Sequence, residues 1–179
     1  LFNVRMAERG AEVRWITEPW KTETWELLID DDTRFLYVEM PSNPQQACTD
    51  LEAVAKIAHR RRIPLVVDAT VATPALMRPL AHGADIVVHS LSKTAGAGGC
   101  AIAGAVIARH GITAHYLDDE QVSDYALWLK LWPFRDSGPC MTPTAAHYLL
   151  NEMRTLRLKG KQMSDNTMQV ASFLSDHPK

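Results

Sequence analysis

Cysteine is scarce in this chain of 179 residues: Cys48, Cys100 and Cys140 are odd in number, far apart, and form no Cys-x-x-Cys pair. Such a set builds neither a disulfide framework nor a zinc knuckle, and it fits a reducing, cytoplasmic setting. An excess of one charge sign is missing too. A formal net charge of −2 leaves no basic stripe for a nucleic acid, and the longest cationic cluster, Arg60-Arg61-Arg62, merely ends an amphipathic pattern. No apolar run reaches bilayer length and the opening residues Leu1 to Arg5 do not resemble a signal peptide, so no membrane partner is expected. The seven histidines share no metal-like spacing, and no Gly-x-Gly-x-x-Gly or Walker spacing follows a first strand, which argues against metal and nucleotide sites. With 46% hydrophobic and 22% charged residues, what remains is a globular chain able to bury one proper core.

Strand and helix signals alternate along it. Asn3 to Arg9 is short and amphipathic, Gly10 stops it, and Ala11 to Ile16 alternates apolar and polar as a half-buried strand does. A short helix over 24–29 and the solvated loop Asp30-Asp31-Asp32 precede a β-rich run, Thr33 to Glu39, which ends where Pro41 and Pro44 forbid ladder pairing. Asp50 is placed to cap a helix over 51–61, with Leu51, Val54, Ala55 and Ala58 on one face. Leu65-Val66-Val67 and Ala84 to Ser90 read as strands covered on both faces, and Ala101 to Ala108 as a further strand. Beyond Asp118 the pattern predicts a helical stretch through Trp128 and Trp132, a breaker-rich loop over 135–143, one amphipathic helix over 144–162, and another after Gly160, over 164–175. This is an α/β rhythm: a mostly parallel sheet with helices on both faces.

Open parallel sheets present ligands at the carboxyl ends of their strands. Three strand ends carry polar groups here: Asn43, Asp68, and the trio Ser90, Ser92 and Lys93. A carboxylate directly after Leu65-Val66-Val67 is costly unless it faces a cation or donor, and a protonated heterocyclic nitrogen would serve. A lysine at the mouth of the same edge can form an imine with an aldehyde. Pyridoxal phosphate (PLP) asks for these kinds of group: a Schiff-base lysine, a carboxylate for its ring nitrogen and donors for its phosphate. Taken singly, each residue has a plainer reading. A lysine after a strand is usually a surface charge, Asp68 can cap a turn, Ser90 and Ser92 can bond nearby backbone, and Asn43 between prolines can simply form a turn. His89 reads as a core or locally bonded residue, the tryptophans as core or subunit contacts, and the Gly96-Ala97-Gly98-Gly99 turn as weak evidence for a phosphate cradle.

Four blocks together make a specific pattern: Glu39-Met40-Pro41-Ser42-Asn43-Pro44, Val66-Val67-Asp68-Ala69-Thr70, Gly83 to Lys93, and Gly138-Pro139-Cys140-Met141-Thr142-Pro143. In this the chain resembles the Cys/Met-metabolism PLP enzymes of aminotransferase fold type I, which include cystathionine γ-synthase, methionine γ-lyase and O-acetylhomoserine sulfhydrylase. The resemblance implies that Lys93 is the Schiff-base lysine and proton shuttle, that Asp68 pairs with the pyridine nitrogen, that Ser90 and Ser92 bind phosphate, and that Asn43 contacts the 3′-oxygen and the substrate carboxylate, with Thr70 also beside the cofactor. It implies γ-replacement on an O-acylated homoserine or related amino acid, or else a β/γ-lyase; an association subunit without turnover is the alternative of another class. A homodimer or homotetramer is implied as well. Residues 1–145 would form the central part of the PLP-binding large domain, and 146–179 a connecting helix and the start of a C-terminal α+β domain. The family's ring-stacking tyrosine and phosphate loop would fall before Leu1, and its carboxylate-binding arginine after Lys179. Two departures stand out: Ala69 where the family usually has asparagine, and Thr94-Ala95 where an aromatic residue is common after the lysine.

Overall fold

The computed structural model describes residues 2–96, 99 and 101–178. Its centre is one four-stranded sheet in the order β1 (Leu36–Glu39), β2 (Leu65–Asp68), β3 (Ile86–Ser90), β4 (Gly104–Ala108). The first two pairings are parallel and the last is antiparallel. Between β1 and β2 runs α2 (Leu51–Arg60), preceded in the chain by α1 (Thr22–Leu27). Asp50 caps α2 as expected, its side chain accepting from the Ala53 N–H at 3.0 Å.

Strand alternation assigns the faces. Leu36, Val38, Leu65, Val67 and Val87 point to one side, where Val54, Ala55, Ile57 and Ala58 of α2 and the buried Trp25 of α1 cover them. Val66, Ile86, Val88 and Ala108 point to the other, under Ile112, Ala114, Tyr116, Val122 and Tyr125. Helices and their loops therefore cover both faces, which explains why β2 and β3 are nearly continuous in apolar residues. α2 lies close enough to the turn before β3 that a Cβ on Gly83, whose φ is +91°, would come within 2.6 Å of the Ala55 methyl.

The amino-terminal edge of the sheet is bound together by one carboxylate. Asp85, fully buried just before β3, accepts from the Leu65 N–H at 2.8 Å, from Arg109 Nε at 2.8 Å and from the Thr113 N–H at 3.1 Å, and lies 2.9 Å from His59 Nε2. These partners belong to the start of β2, the residue after β4, the loop beyond it, and the end of α2.

Several expectations are corrected. Ala11 to Ile16 joins no ladder among the described residues; alternation alone does not make a strand without an edge to pair, and the segment is held instead by Arg14, which bonds Leu28 O at 2.9 Å and Asp30 at 2.5 Å. The helical stretch beyond Asp118 is broken into α4 (Asp119–Ser123) and α5 (Tyr125–Leu129), because Asp118 and then Asp124 each cap a new start by accepting from the N–H three residues on. A π-helical turn over Lys130–Phe134 takes up Pro133 and leads into α6 (Arg135–Ser137), where a loop was expected. The helix break expected at Gly160 lies at Arg154 and Thr155: α7 (Pro143–Met153) ends there and α8 (Leu156–Asp176) runs through Gly160. Gly160 is buried where α8 crosses α3 (Thr73–Leu76), and a Cβ there would lie 3.3 Å from the Ala75 methyl, so its bareness serves packing. Of the tryptophans, Trp25 is core, whereas Trp15, Trp20 and Trp132 are more than half exposed.

Replacing Asp85 with alanine leaves Arg109, the Leu65 N–H and the Thr113 N–H without their acceptor. The expected loss is about 3–5 kcal/mol of folding stability, read from urea unfolding midpoints; an unchanged midpoint would show that the cluster is incidental.

Candidate active site at the carboxyl edge of the sheet

Parallel pairing places the ends of β1, β2 and β3 on one edge, opposite the Asp85 cluster. The strands stay stitched there by backbone bonds past the ladder, Met40 N–H to Asp68 O at 2.9 Å and Ala69 N–H to Val88 O at 3.1 Å. Asn43 sits in the loop after β1, which closes on itself through Ser42 and Ala47, bonded backbone to backbone at 3.0 Å and again through Ser42 Oγ at 3.0 Å. Asn43 is exposed at the tip of that loop.

Asp68 ends β2 partly buried. Its Oδ1 accepts from the Thr70 N–H at 2.9 Å and its Oδ2 from the Tyr37 hydroxyl at 3.2 Å. Thr70 is buried, and its Oγ1 accepts from the Ser90 N–H at 2.8 Å, so the residue that follows β2 holds the last residue of β3 in place. Ser90 keeps its own hydroxyl free of protein partners among the described residues, whereas Ser92 Oγ is engaged with one backbone unit, accepting from Ala103 N at 2.8 Å and donating to Ala103 O at 3.2 Å. Of the two readings open for the serines, bonding to nearby backbone thus describes Ser92.

Lys93 lies exposed in the turn that leaves β3, its ammonium without an ion pair among the described residues. The turn is firm beneath it. Lys93 N–H bonds Ser90 O at 3.3 Å, Gly96 N–H bonds Lys93 O at 3.1 Å, and Gly96 is pressed so closely between Leu91 O and Leu149 of α7 that no Cβ fits. Leu149 packs there with Ala101, Leu91, Ala103, Met141 and Ala145. The block from Gly138 to Pro143 thus gains its place: Thr142 caps α7 by accepting from Ala145 N at 3.2 Å, and α7 supports the lysine turn. Ala97, Gly98 and Cys100 lie outside the described residues, so the glycine turn as a phosphate cradle does too.

The structure brings Asp68, Thr70, Ser90, Ser92 and Lys93 into one bonded edge, with the Asn43 loop on the adjoining strand. Two further groups stand there, one unread in the sequence and one read only as a core or locally bonded residue. Tyr37 is the unread one; its link to Asp68 depends on strand register, which alternation alone does not supply. His89 is the other: it is 7% exposed, in keeping with the core reading, and its Nδ1 has no partner among the described residues. Burial pushes its pKa below the ordinary 6.5, with the nearby Asp68 carboxylate partly opposing this. Two open clefts lie elsewhere, of about 500 Å3 along α8 and about 310 Å3 between α1 and α2, and neither includes a residue of this edge.

The donor set suits pyridoxal phosphate. Asp68 retains lone pairs beyond its two hydrogen bonds, Ser90 offers an uncommitted hydroxyl, and Lys93 an unpaired amine. Comparison with known proteins agrees with this chemistry. Residues 1–179 match the model of the family described as Cys/Met metabolism PLP-dependent enzyme, and the chain belongs to that family. It is 34% identical to a sulfhydrylase of Fusarium oxysporum f. sp. lycopersici over 98% of the chain and 45% of that protein. It is 35% identical to an L-methionine gamma-lyase of Porphyromonas gingivalis over 97% of the chain and 40% of that enzyme. A Campylobacter jejuni crystal structure assigned as an O-acetylhomoserine (thiol)-lyase, which carries a pyridoxyl-lysine phosphate, superposes with a TM-score of 0.79 at 31% identity, over 88% of this chain and 44% of that one. The chain thus spans less than half the length of these relatives, and the fold is that of type I PLP enzymes.

Two outcomes are expected from this geometry. Gly96→Ala forces a methyl into Leu91 O and Leu149 and should cost about 1–3 kcal/mol, seen as a lower thermal midpoint; an unaltered midpoint would mean the turn can yield. For His89, a folded pKa below the unfolded 6.5 means that the unfolded chain binds the extra proton, so stability is present above about pH 6.5 and is lost as pH falls through the folded value. Between pH 7 and 5 the native protein should therefore lose more stability than His89→Phe does, and equal losses would show that burial does not hold this imidazole neutral.

Proposed function

We propose that this chain is the cofactor-holding core of a PLP-dependent enzyme that performs γ-replacement on an O-acylated homoserine or a related amino acid, with Lys93 as the bonding lysine. The observation that carries the reading is the single edge on which Asp68 ends β2, Ser90 ends β3 and Lys93 stands in the turn that leaves β3. Support for γ-replacement comes from the sulfhydrylase among the relatives.

In this reading Asp68 would hold the proton on the ring nitrogen, Ser90 would donate to the phosphate, Asn43 would serve the 3′-oxygen and the substrate carboxylate, and Thr70 keeps Ser90 aligned. Ser92 reaches the phosphate only if its hydroxyl exchanges Ala103 O for it. Lys93 would hold the cofactor covalently and, as a free amine, would take and return a proton at the substrate's α carbon. Bound pyridoxal phosphate supplies an electron sink for that carbon. Solvent-exposed Lys93 leaves room for an amino acid to approach, and the fixed turn below it keeps the amine on station. A β/γ-lyase is the second reading, favoured by the methionine gamma-lyase relative. No helix among the described residues is long and apolar enough to cross a membrane. Apolar side chains exposed on α7 and α8, such as Leu150, Leu158 and Phe173, support association into a homodimer or homotetramer.

Borohydride reduction of the full-length protein purified with PLP should leave a pyridoxyl group on Lys93, located by peptide mass. Lys93→Ala should lower turnover about 10²- to 10⁴-fold. Product that requires added sulfide or thiol supports replacement, and keto acid with ammonia in its absence supports the lyase. An unmodified Lys93 would leave the association subunit in front.

A further inference from the structure

The strand register that joins β1 to β2 sets Tyr37 opposite Val66 and Glu39 opposite Asp68. Tyr37 and Asp68 are therefore diagonal neighbours on one face of the sheet, a separation that a long aromatic side chain spans. The hydroxyl of Tyr37 donates to Oδ2 of Asp68 at 3.2 Å, while the Thr70 N–H holds Oδ1 at 2.9 Å. One anchor comes from the neighbouring strand and the other from the turn that follows Asp68, so the two together oppose rotation of the carboxylate about its last bond. The direction of the first bond is also secure. Burial, together with the carboxylates of Asp68 and Glu39, keeps the phenol protonated far above its usual range, so Tyr37 remains the donor and Asp68 the acceptor.

We propose that Tyr37 is a positioning residue for Asp68: with the Thr70 amide it sets the plane of the carboxylate and hence the direction from which Asp68 accepts a proton-bearing ring nitrogen. This rests on the cofactor reading above. The plainer alternative is a tyrosine whose hydroxyl merely finds a partner in a half-buried sheet, and the two differ in what the cofactor would report. A positioning role is transmitted to the ring nitrogen only through Asp68; a packing role is not.

The test uses the full-length protein loaded with PLP labelled with 15N in the pyridine ring. Tyr37→Phe keeps the ring and removes the donor. It should move the pyridine 15N resonance and weaken PLP binding about threefold to tenfold, the size of one hydrogen bond, while the thermal midpoint of the cofactor-free protein changes little. In an Asp68→Asn background the same substitution should add nothing to either readout. An unmoved resonance and unchanged affinity in Tyr37→Phe, or an equal effect with and without Asp68, would overturn the proposal. If Tyr37→Phe does not fold, 3-fluorotyrosine at position 37 keeps the size and strengthens the donor, and should shift the resonance the opposite way; no shift overturns the proposal equally. A native protein that leaves no pyridoxyl group on Lys93 after reduction sinks the cofactor reading and this inference with it. A native protein that does, with a silent Tyr37→Phe, sinks this inference alone.

Discussion

The buried carboxylate of Asp85 is the constraint on which the sheet depends. With no exposure to solvent, it costs several kcal/mol unless its oxygens are fully engaged, and they are engaged by β2, by Arg109 beyond β4, by the loop at Thr113 and by His59 of α2. Removing any one of these elements leaves the buried carboxylate short of a partner. Arg109 extends the network by donating to Thr113 Oγ1 at 2.8 Å. The amino-terminal edge is thus fixed in position before any chemistry is considered.

That fixation is carried to the opposite edge by the stiffness of the strands. From Asp85 to Ser90 is five residues, roughly 17 Å of extended chain, and the ladder holds register throughout. What happens at the carboxyl edge is therefore alignment rather than assembly. Thr70 sets Ser90, Tyr37 and Thr70 set Asp68, and Leu149 on Gly96 sets the turn that bears Lys93. The edge concentrates polar groups with spare bonding capacity, among them Asp68, Ser90, Lys93 and the unpartnered Nδ1 of His89. One end of the sheet is satisfied and silent, and the other is left with valences to spend on a ligand.

The plainer readings of single residues fare differently once contacts are visible. Ser92 does bond nearby backbone, and Ala103 uses both its donor and its acceptor on that hydroxyl. Thr70 is committed to Ser90's backbone, which makes it a support whatever else it touches. Ala69, where the family usually has asparagine, is fully buried, so no polar side chain is missed by solvent there.

The sequence by itself determined the two central strands, because Leu65-Val66-Val67 and Ile86-Val87-Val88 are apolar on both faces, and the helix before the first of them, which Asp50 and Pro64 bracket. It determined also that Asp68 and Ser90 close strands and that Asn43 and Lys93 stand in the loops after them, since a polar residue after such a run has nowhere else to stand. Local chemistry was enough for these. Where the outcome depended on partners distant in the chain, pattern misled: Ala11 to Ile16 alternates like a strand but finds no edge, and Gly160 looks like a stop but serves a helix crossing. Only the tertiary structure decided that Asp85, a plain member of a motif, is the hub of the amino-terminal edge, and that Tyr37 reaches Asp68. Both follow from register and burial, which arise when strands some 20 to 30 residues apart are laid side by side and which no local pattern encodes.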